Sequence, residues 1–281
     1  ASFPKGMRLD GLRIVCDCAN GATYKVGPFS LSELGADVIP IANRPNGCNI
    51  NLNCGSVHRE EMRATVIRER ADLGVAFDGD GDRIIMADEQ GQMLDGNAIL
   101  AVLGADLLER DELPEKTVVT TVMANGGLER AIAPYGGKVL HTKVGDRYVV
   151  ETMRERGLTL GGESSGHIVM LEHNTTGDAT IAALHVLATM LRRDQPLSVL
   201  ADIYHPFPET HLKVPLNGKN PPAEEQLNAL CREVEPEISG CGRVVIRPSG
   251  TESVIRIMVQ HEAIRKAESL ARRLAERVSA L

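Results

Sequence analysis

A chain of 281 residues with 43% hydrophobic and 25% charged residues has ordinary globular composition and room for two domains, or three small ones. Its net charge of -7 argues against nucleic acid or an anionic membrane as partner, and no apolar run approaches the roughly 18 residues of a bilayer-spanning helix. Cys16, Cys18, Cys48, Cys54, Cys231 and Cys241 form no CxxC pair and read as reduced thiols of a cytoplasmic protein. A zinc site from Cys16, Cys18, Cys48 and Cys54 is the alternative. The first residues carry no apolar signal-peptide core and no initiator Met, so the chain is expected to start within a longer protein.

Apolar runs and amphipathic stretches alternate from the start. The pattern predicts a strand over 12–16, a helix over 26–34 closed by Gly35, and a strand over 36–41. A loop rich in Asn and Gly follows over 43–58, then a helix over 60–71 and strands over 73–77 and 84–88. The pattern then restarts: helix 97–109, strand 117–122, helix 128–135 closed by Gly136, strand 138–142, helix 147–156, strand 168–171, helix 179–193. The last stretch differs, with a strand over 210–216, a helix over 223–234, strands over 244–246 and 254–259, and a helix over 262–281. The expectation is an α/β protein: two tandem βαβ-type domains with mixed or parallel sheets, over 1–93 and 94–204, then a small α+β domain over 205–281.

Four segments carry chemistry. Asp78-Gly79-Asp80-Gly81-Asp82-Arg83 lies between two apolar strands. Alternate carboxylates can curl toward one point, where they repel unless a hard divalent cation joins them, and oxygen ligands suit Mg²⁺. A polar turn is the plain alternative. An EF-hand is a second one, since Glu89 is twelfth from Asp78, but Arg83 stands where that loop needs Gly. Arg247-Pro248-Ser249-Gly250-Thr251-Glu252, also between strands, offers a guanidinium fork, two hydroxyls and free N–H groups to a phosphate, or else forms a simple hairpin turn. Gly161-Gly162-Glu163-Ser164-Ser165-Gly166-His167 can read sugar hydroxyls, or be a glycine-rich turn. Lys143-Val144-Gly145-Asp146-Arg147 opens a helix, with Asp146 as the expected N-cap. Arg243 and Arg256 read as solvated strand residues, His185 as structural, and residues 174–178 as a possible second loop near the sugar.

In this order, the segments resemble the α-D-phosphohexomutase family over nearly the whole chain. Asp17–Ala22, Gly47–Asn51 and Thr142–Arg147 look most like its phosphoglucosamine mutase branch, while Ser253 stands where the family often has Pro. The resemblance implies a four-domain magnesium enzyme whose first domain, with its phosphorylated serine, is not in this chain. It implies Mg²⁺ on Asp78, Asp80 and Asp82; Arg83, Lys143 and His167 at the transfer site; Glu163 and Ser165 on sugar hydroxyls; and Arg247, Ser249, Gly250 and Thr251 on the distal phosphate. The implied reaction takes glucosamine 6-phosphate to glucosamine 1-phosphate through a bisphosphate, with hexose 1,6-bisphosphate as activator. The chain by itself is then expected to be inactive. A phosphomannomutase or phosphoglucomutase, an inactive phosphosugar-binding fragment, and a phosphatase using Asp78 as nucleophile are the other readings.

Overall fold

A computed structural model describes every residue except Ala1, Gly218, Lys219, Ser239, Cys241 and Thr251. It divides into two compact units: Ala1–Ala124 with Leu128–His205, and Asn125–Gly127 with Pro206–Leu281.

The first half of unit one runs β1 (Arg13–Asp17), α1 (Val26–Glu33), β2 (Asp37–Ile41), α2 (Glu60–Glu69), β3 (Leu73–Phe77), β4 (Ile84–Asp88) and β5 (Met93–Leu94). Its sheet has the order β2-β1-β3-β4-β5, parallel through β3 and antiparallel beyond it. Every residue of β3 and β4 is buried, as expected for strands covered on both faces. Gly74 in β3 makes room for α2, since a Cβ there would lie 2.5 Å from Met62 Sδ.

The second half repeats the plan with α3 (Gly96–Glu109), β6 (Thr117–Thr121), α4 (Gly127–Ile132), β7 (Lys138–Thr142), α5 (Asp146–Arg156), β8 (Leu160–Gly162), β9 (Ile168–Met170), α6 (Ala179–Arg193) and α7 (Leu197–Ala201). Its sheet order, β7-β6-β8-β9, is again parallel for three strands and antiparallel for the fourth. In each half the loop leaving the third parallel strand returns as an antiparallel strand. The 78–83 loop (β3 to β4) and the 163–167 loop (β8 to β9) are therefore topological equivalents. One apolar core, from Leu9 through Phe77 and Leu100 to Leu187, runs through both halves. Helix α3 is buried almost all round within it, because its sequence is apolar on every face.

Strand β8 corrects the reading of 161–167 as a glycine-rich turn. Its first two glycines lie in the sheet, where a Cβ on Gly161 would meet Met153 Sδ at 2.6 Å and the Val119 carbonyl oxygen at 2.9 Å. The glycines that mask the strand in the sequence are what let it fit between α5 and β6.

Unit two holds β10 (Glu209–Pro215), α8 (Glu224–Ile238), β11 (Gly242–Pro248), β12 (Val254–His261) and α9 (Ile264–Ser279), with an antiparallel sheet of order β10-β12-β11. Its own core includes Leu227, Leu230, Ile255, Leu270 and Leu274. Asn125 belongs here: its side chain donates to the Phe207 carbonyl at 2.9 Å and accepts from the Phe207 N–H at 2.8 Å. Both units together form the α/β plus small α+β architecture expected from the sequence.

Candidate active site

The three aspartates come together at the end of β3. One carboxylate oxygen each of Asp78, Asp80 and Asp82 lies within 4.8 Å of the others, the one such group among the described residues. Asp78 shapes the loop: its Oδ1 accepts the N–H groups of Gly81 at 3.1 Å and Arg83 at 3.0 Å. Gly81 takes a left-handed φ of 81°, which turns the chain back toward β4. The Arg83 Nε lies 3.8 Å from both Asp78 Oδ2 and Asp82 Oδ1. Asp82 Oδ1 is buried without a hydrogen-bond partner. An all-oxygen cluster with a buried acceptor left over fits a hard divalent cation such as Mg²⁺.

Two neighbouring loops hold the cluster in place. The Ala22 N–H donates to the Gly79 carbonyl at 2.8 Å, and the Asn51 N–H to the Ala19 carbonyl at 2.8 Å. A Cβ on Gly21 would lie 2.2 Å from the Gly79 oxygen. Behind them, buried Asp17 accepts from the Ala19 and Gly55 N–H groups, both at 2.9 Å. Burial pushes the Asp17 carboxyl above its ordinary range, and those two donors partly offset the rise.

The 163–167 loop meets the metal-loop end directly. Arg83 and His167 form an antiparallel bridge, and the Ile84 N–H donates to the Gly166 carbonyl at 3.0 Å. One helix start adds to the joint: α6 begins with the Ala179 N–H on the Gly81 carbonyl at 3.1 Å, while α3 begins within its own half, with the Gly96 N–H on the Ser164 carbonyl at 3.1 Å. His167 is 3% exposed, and neither ring nitrogen has a hydrogen-bond partner. Its Nε2 lies 3.6 Å from Asp82 Oδ2 and 3.8 Å from Asp146 Oδ2. Glu163 Oε1 accepts the Gly145 N–H at 3.2 Å, which ties the turn after β7 to this loop. Ser165 and Lys143 are exposed. Thus Asp78, Asp80, Asp82, Arg83 and His167 are gathered by direct contacts, Glu163 through Gly145, and Lys143 by its place in the same turn.

In unit two, the hairpin joining β11 and β12 carries Arg247, Ser249 and Gly250, while Thr251 lies outside the described residues. The Ser249 N–H donates to the Val254 carbonyl at 2.9 Å, and its hydroxyl accepts from the Glu252 N–H at 3.3 Å. A Cβ on Gly250 would meet nothing within 4 Å, so the turn faces open space at that point. Glu252 is held by Lys213 at 2.8 Å and by Arg256 at 2.6 Å. These two cations hold its carboxyl below the ordinary range. Arg256, expected as merely solvated, is therefore part of this ion-paired base.

One further expectation changes, and two of the alternatives fall away. Asp146 does not cap α5: Gly145, with φ 131°, is the cap residue, and Asp146 is the first helical residue beside His167. The cysteines make no zinc site, because Cys48 is exposed while Cys16, Cys18 and Cys54 are buried, and no group of them comes together among the described residues. Glu89 is no EF-hand ligand; its carboxylate binds the N–H and hydroxyl of Ser198 at the start of α7. Residues 174–178, read as a second loop near the sugar, lie against His167: a Cβ on Gly177 would lie 2.4 Å from its Nε2, and Asp178 caps α6 by accepting from the Ile181 N–H. Asp146 and Gly177 are the neighbours of His167 that sequence spacing does not reveal.

Comparison with known proteins matches this chain to one family. Residues 4–91 match the family model for phosphoglucomutase/phosphomannomutase α/β/α domain II, residues 95–207 that for domain III, and residues 209–277 that for the C-terminal domain. A phosphoglucosamine mutase of Anaeromyxobacter dehalogenans is 52% identical over 96% of this chain and 59% of its own length. One from Myxococcus xanthus is 46% identical over 99% of this chain and 61% of its own length. The chain thus spans about three-fifths of these curated relatives. Among solved structures, a phosphoglucomutase/phosphomannomutase family protein of Burkholderia thailandensis aligns with TM-score 0.79 at 22% identity, covering 95% of this chain and 60% of that one. Aspergillus fumigatus N-acetylphosphoglucosamine mutase, solved with GlcNAc-6P and magnesium, aligns with TM-score 0.71 at 22% identity, covering 98% of this chain and 67% of that one. The chain belongs to the phosphoglucomutase/phosphomannomutase family of phosphohexomutases, with that family's domains II, III and IV.

Proposed function

We propose that this chain is the greater part of a phosphoglucosamine mutase, organised as domains over 1–93, 94–204 and 205–281, that interconverts glucosamine 6-phosphate and glucosamine 1-phosphate. The observation that carries the reading is the direct joining of the aspartate loop to the Glu163–His167 loop through the Arg83–His167 bridge. It supports a reading in which the aspartate cluster holds a cation beside polar groups that suit a sugar. The relatives at 52% and 46% identity, both phosphoglucosamine mutases, support the choice of sugar.

Asp78, Asp80 and Asp82 are the ligands for Mg²⁺, which when bound neutralises charge on phosphoryl oxygens. Arg83, fixed between Asp78 and Asp82, adds a positive charge toward the oxygens of the transferring phosphoryl group. His167 has two unpartnered ring nitrogens, so one can hydrogen-bond the sugar oxygen that gains or loses the phosphoryl group. Lys143 adds a mobile cation from the turn after β7. Glu163 and Ser165 read sugar hydroxyls. Arg247, Ser249, Gly250 and Thr251 grip the phosphate that is idle. A phosphoserine supplied by a first domain would donate the phosphoryl group, form the bisphosphate and then take back the other phosphoryl group. Each transfer is then a matter of positioning and electrostatics.

Calorimetric titration of the chain in Mg²⁺ with glucosamine 6-phosphate, glucose 6-phosphate and mannose 6-phosphate tests this. Tightest binding of the amino sugar, weakened about tenfold or more by Arg247→Ala, is the expected result. Equal binding of all three sugars would contradict the branch, and binding of none would contradict the phosphosugar reading.

A further inference from the structure

We propose that Asp146 is the specificity-determining residue that recognises the 2-ammonium of the amino sugar, an inference that rests on the mutase reading above. An amino sugar carries a cation where glucose carries a hydroxyl, so selecting it calls for a carboxylate with spare acceptor capacity. The carboxylates of the site differ in this respect. Asp78, Asp80 and Asp82 form one cluster, with Arg83 against Asp78 and Asp82. Glu163 accepts the Gly145 N–H with Oε1, and its remaining acceptor capacity is assigned above to sugar hydroxyls. Asp146 is the first residue of α5, and its side chain is 58% exposed. Its Oδ2 lies 3.8 Å from His167 Nε2, beyond hydrogen-bond reach.

His167 supplies the independent observation. It is 3% exposed with both ring nitrogens unpartnered, and its Nε2 faces Asp82 at 3.6 Å on one side and Asp146 on the other. A buried ring nitrogen without a partner points to ligand atoms. With a ligand oxygen on His167 at the aspartate loop, the group on the next carbon falls toward Asp146. In glucosamine 6-phosphate that oxygen is the C1 hydroxyl, and the next carbon bears the ammonium. In glucosamine 1-phosphate the sugar is reversed: C6 is at this end and the ammonium lies away from Asp146. Asp146 therefore discriminates in one orientation only.

The test compares two ratios by calorimetry on the chain in Mg²⁺: glucosamine 6-phosphate against glucose 6-phosphate, and glucosamine 1-phosphate against glucose 1-phosphate. In Asp146→Asn the first ratio is expected to fall about tenfold while the second stays unchanged, and Asp146→Glu to restore most of the first. An unchanged first ratio, or an equal loss of both sugars, overturns the assignment. Failure of the unaltered chain to bind any of the four sugar phosphates overturns the mutase reading and the inference with it.

Discussion

Asp78 holds its own loop together, because a single oxygen takes the N–H groups of Gly81 and Arg83. An amide oxygen can accept the same two bonds, but it brings no charge. Asp78→Asn is therefore expected to keep its melting temperature within a few degrees while Mg²⁺ affinity drops about tenfold or more, as read by calorimetric titration with the metal. A large fall in melting temperature would show that the charge, not the two bonds, shapes the loop. His185 is the residue with the clearest pH signature. Burial, with the His173 ring tilted against it at 4.5 Å, lowers it from an ordinary 6.5 to about 4. The folded protein keeps it neutral where the unfolded chain takes a proton. Its share of stability is thus complete above pH 6.5 and is lost as pH falls toward about 4. His185→Gln should flatten that part of the curve of melting temperature against pH, and an unaltered slope would contradict the assignment.

The site is built at the level of elements by glycines that let backbones touch. Gly166, with φ 96°, would place a Cβ 2.1 Å from the Ile84 carbonyl oxygen, at the joint between the two loops. Gly166→Ala is expected to destabilise by about 2 kcal/mol or more. For a unit of this size that lowers the melting temperature by about 4–8 °C. Weaker sugar-phosphate binding should accompany it, and a neutral outcome would mean that the two loops are not tightly joined. The same glycines explain what the sequence shows and what it hides. Three aspartates alternating with glycine announce a cluster of carboxylates, and the apolar runs on either side announce β3 and β4. Strand β8 is hidden because two of its three residues are glycine, chosen for packing against Met153 and Val119 rather than for strand propensity. The place of Asp146 is hidden because its contact with His167 spans separate elements, while locally Gly145-Asp146 reads as a helix cap.

The chain as a whole is legible as two α/β repeats and a different last part because strand and helix periods alternate and then stop alternating near residue 205. What periodicity does not convey is that the two α/β halves share one core, with Phe77 and Leu187 in a single apolar cluster, and that α6 of the second half starts on the Gly81 carbonyl of the first. The C-terminal unit has a separate core. Leu270→Ala there should cost about 2–5 kcal/mol. Scanning calorimetry is expected to show one transition moving down while another stays in place; a single transition shifting as a whole would mean the two cores unfold together. Transfer between the two ends of one phosphosugar is read without a coupled assay by phosphorus NMR. The chain would be joined to a first domain of the family and given Mg²⁺, glucosamine 6-phosphate and a trace of the 1,6-bisphosphate. A glucosamine 1-phosphate signal is expected to grow in, and to fail to do so in Asp82→Asn. Steady release of inorganic phosphate without 1-phosphate would contradict it and favour a phosphatase.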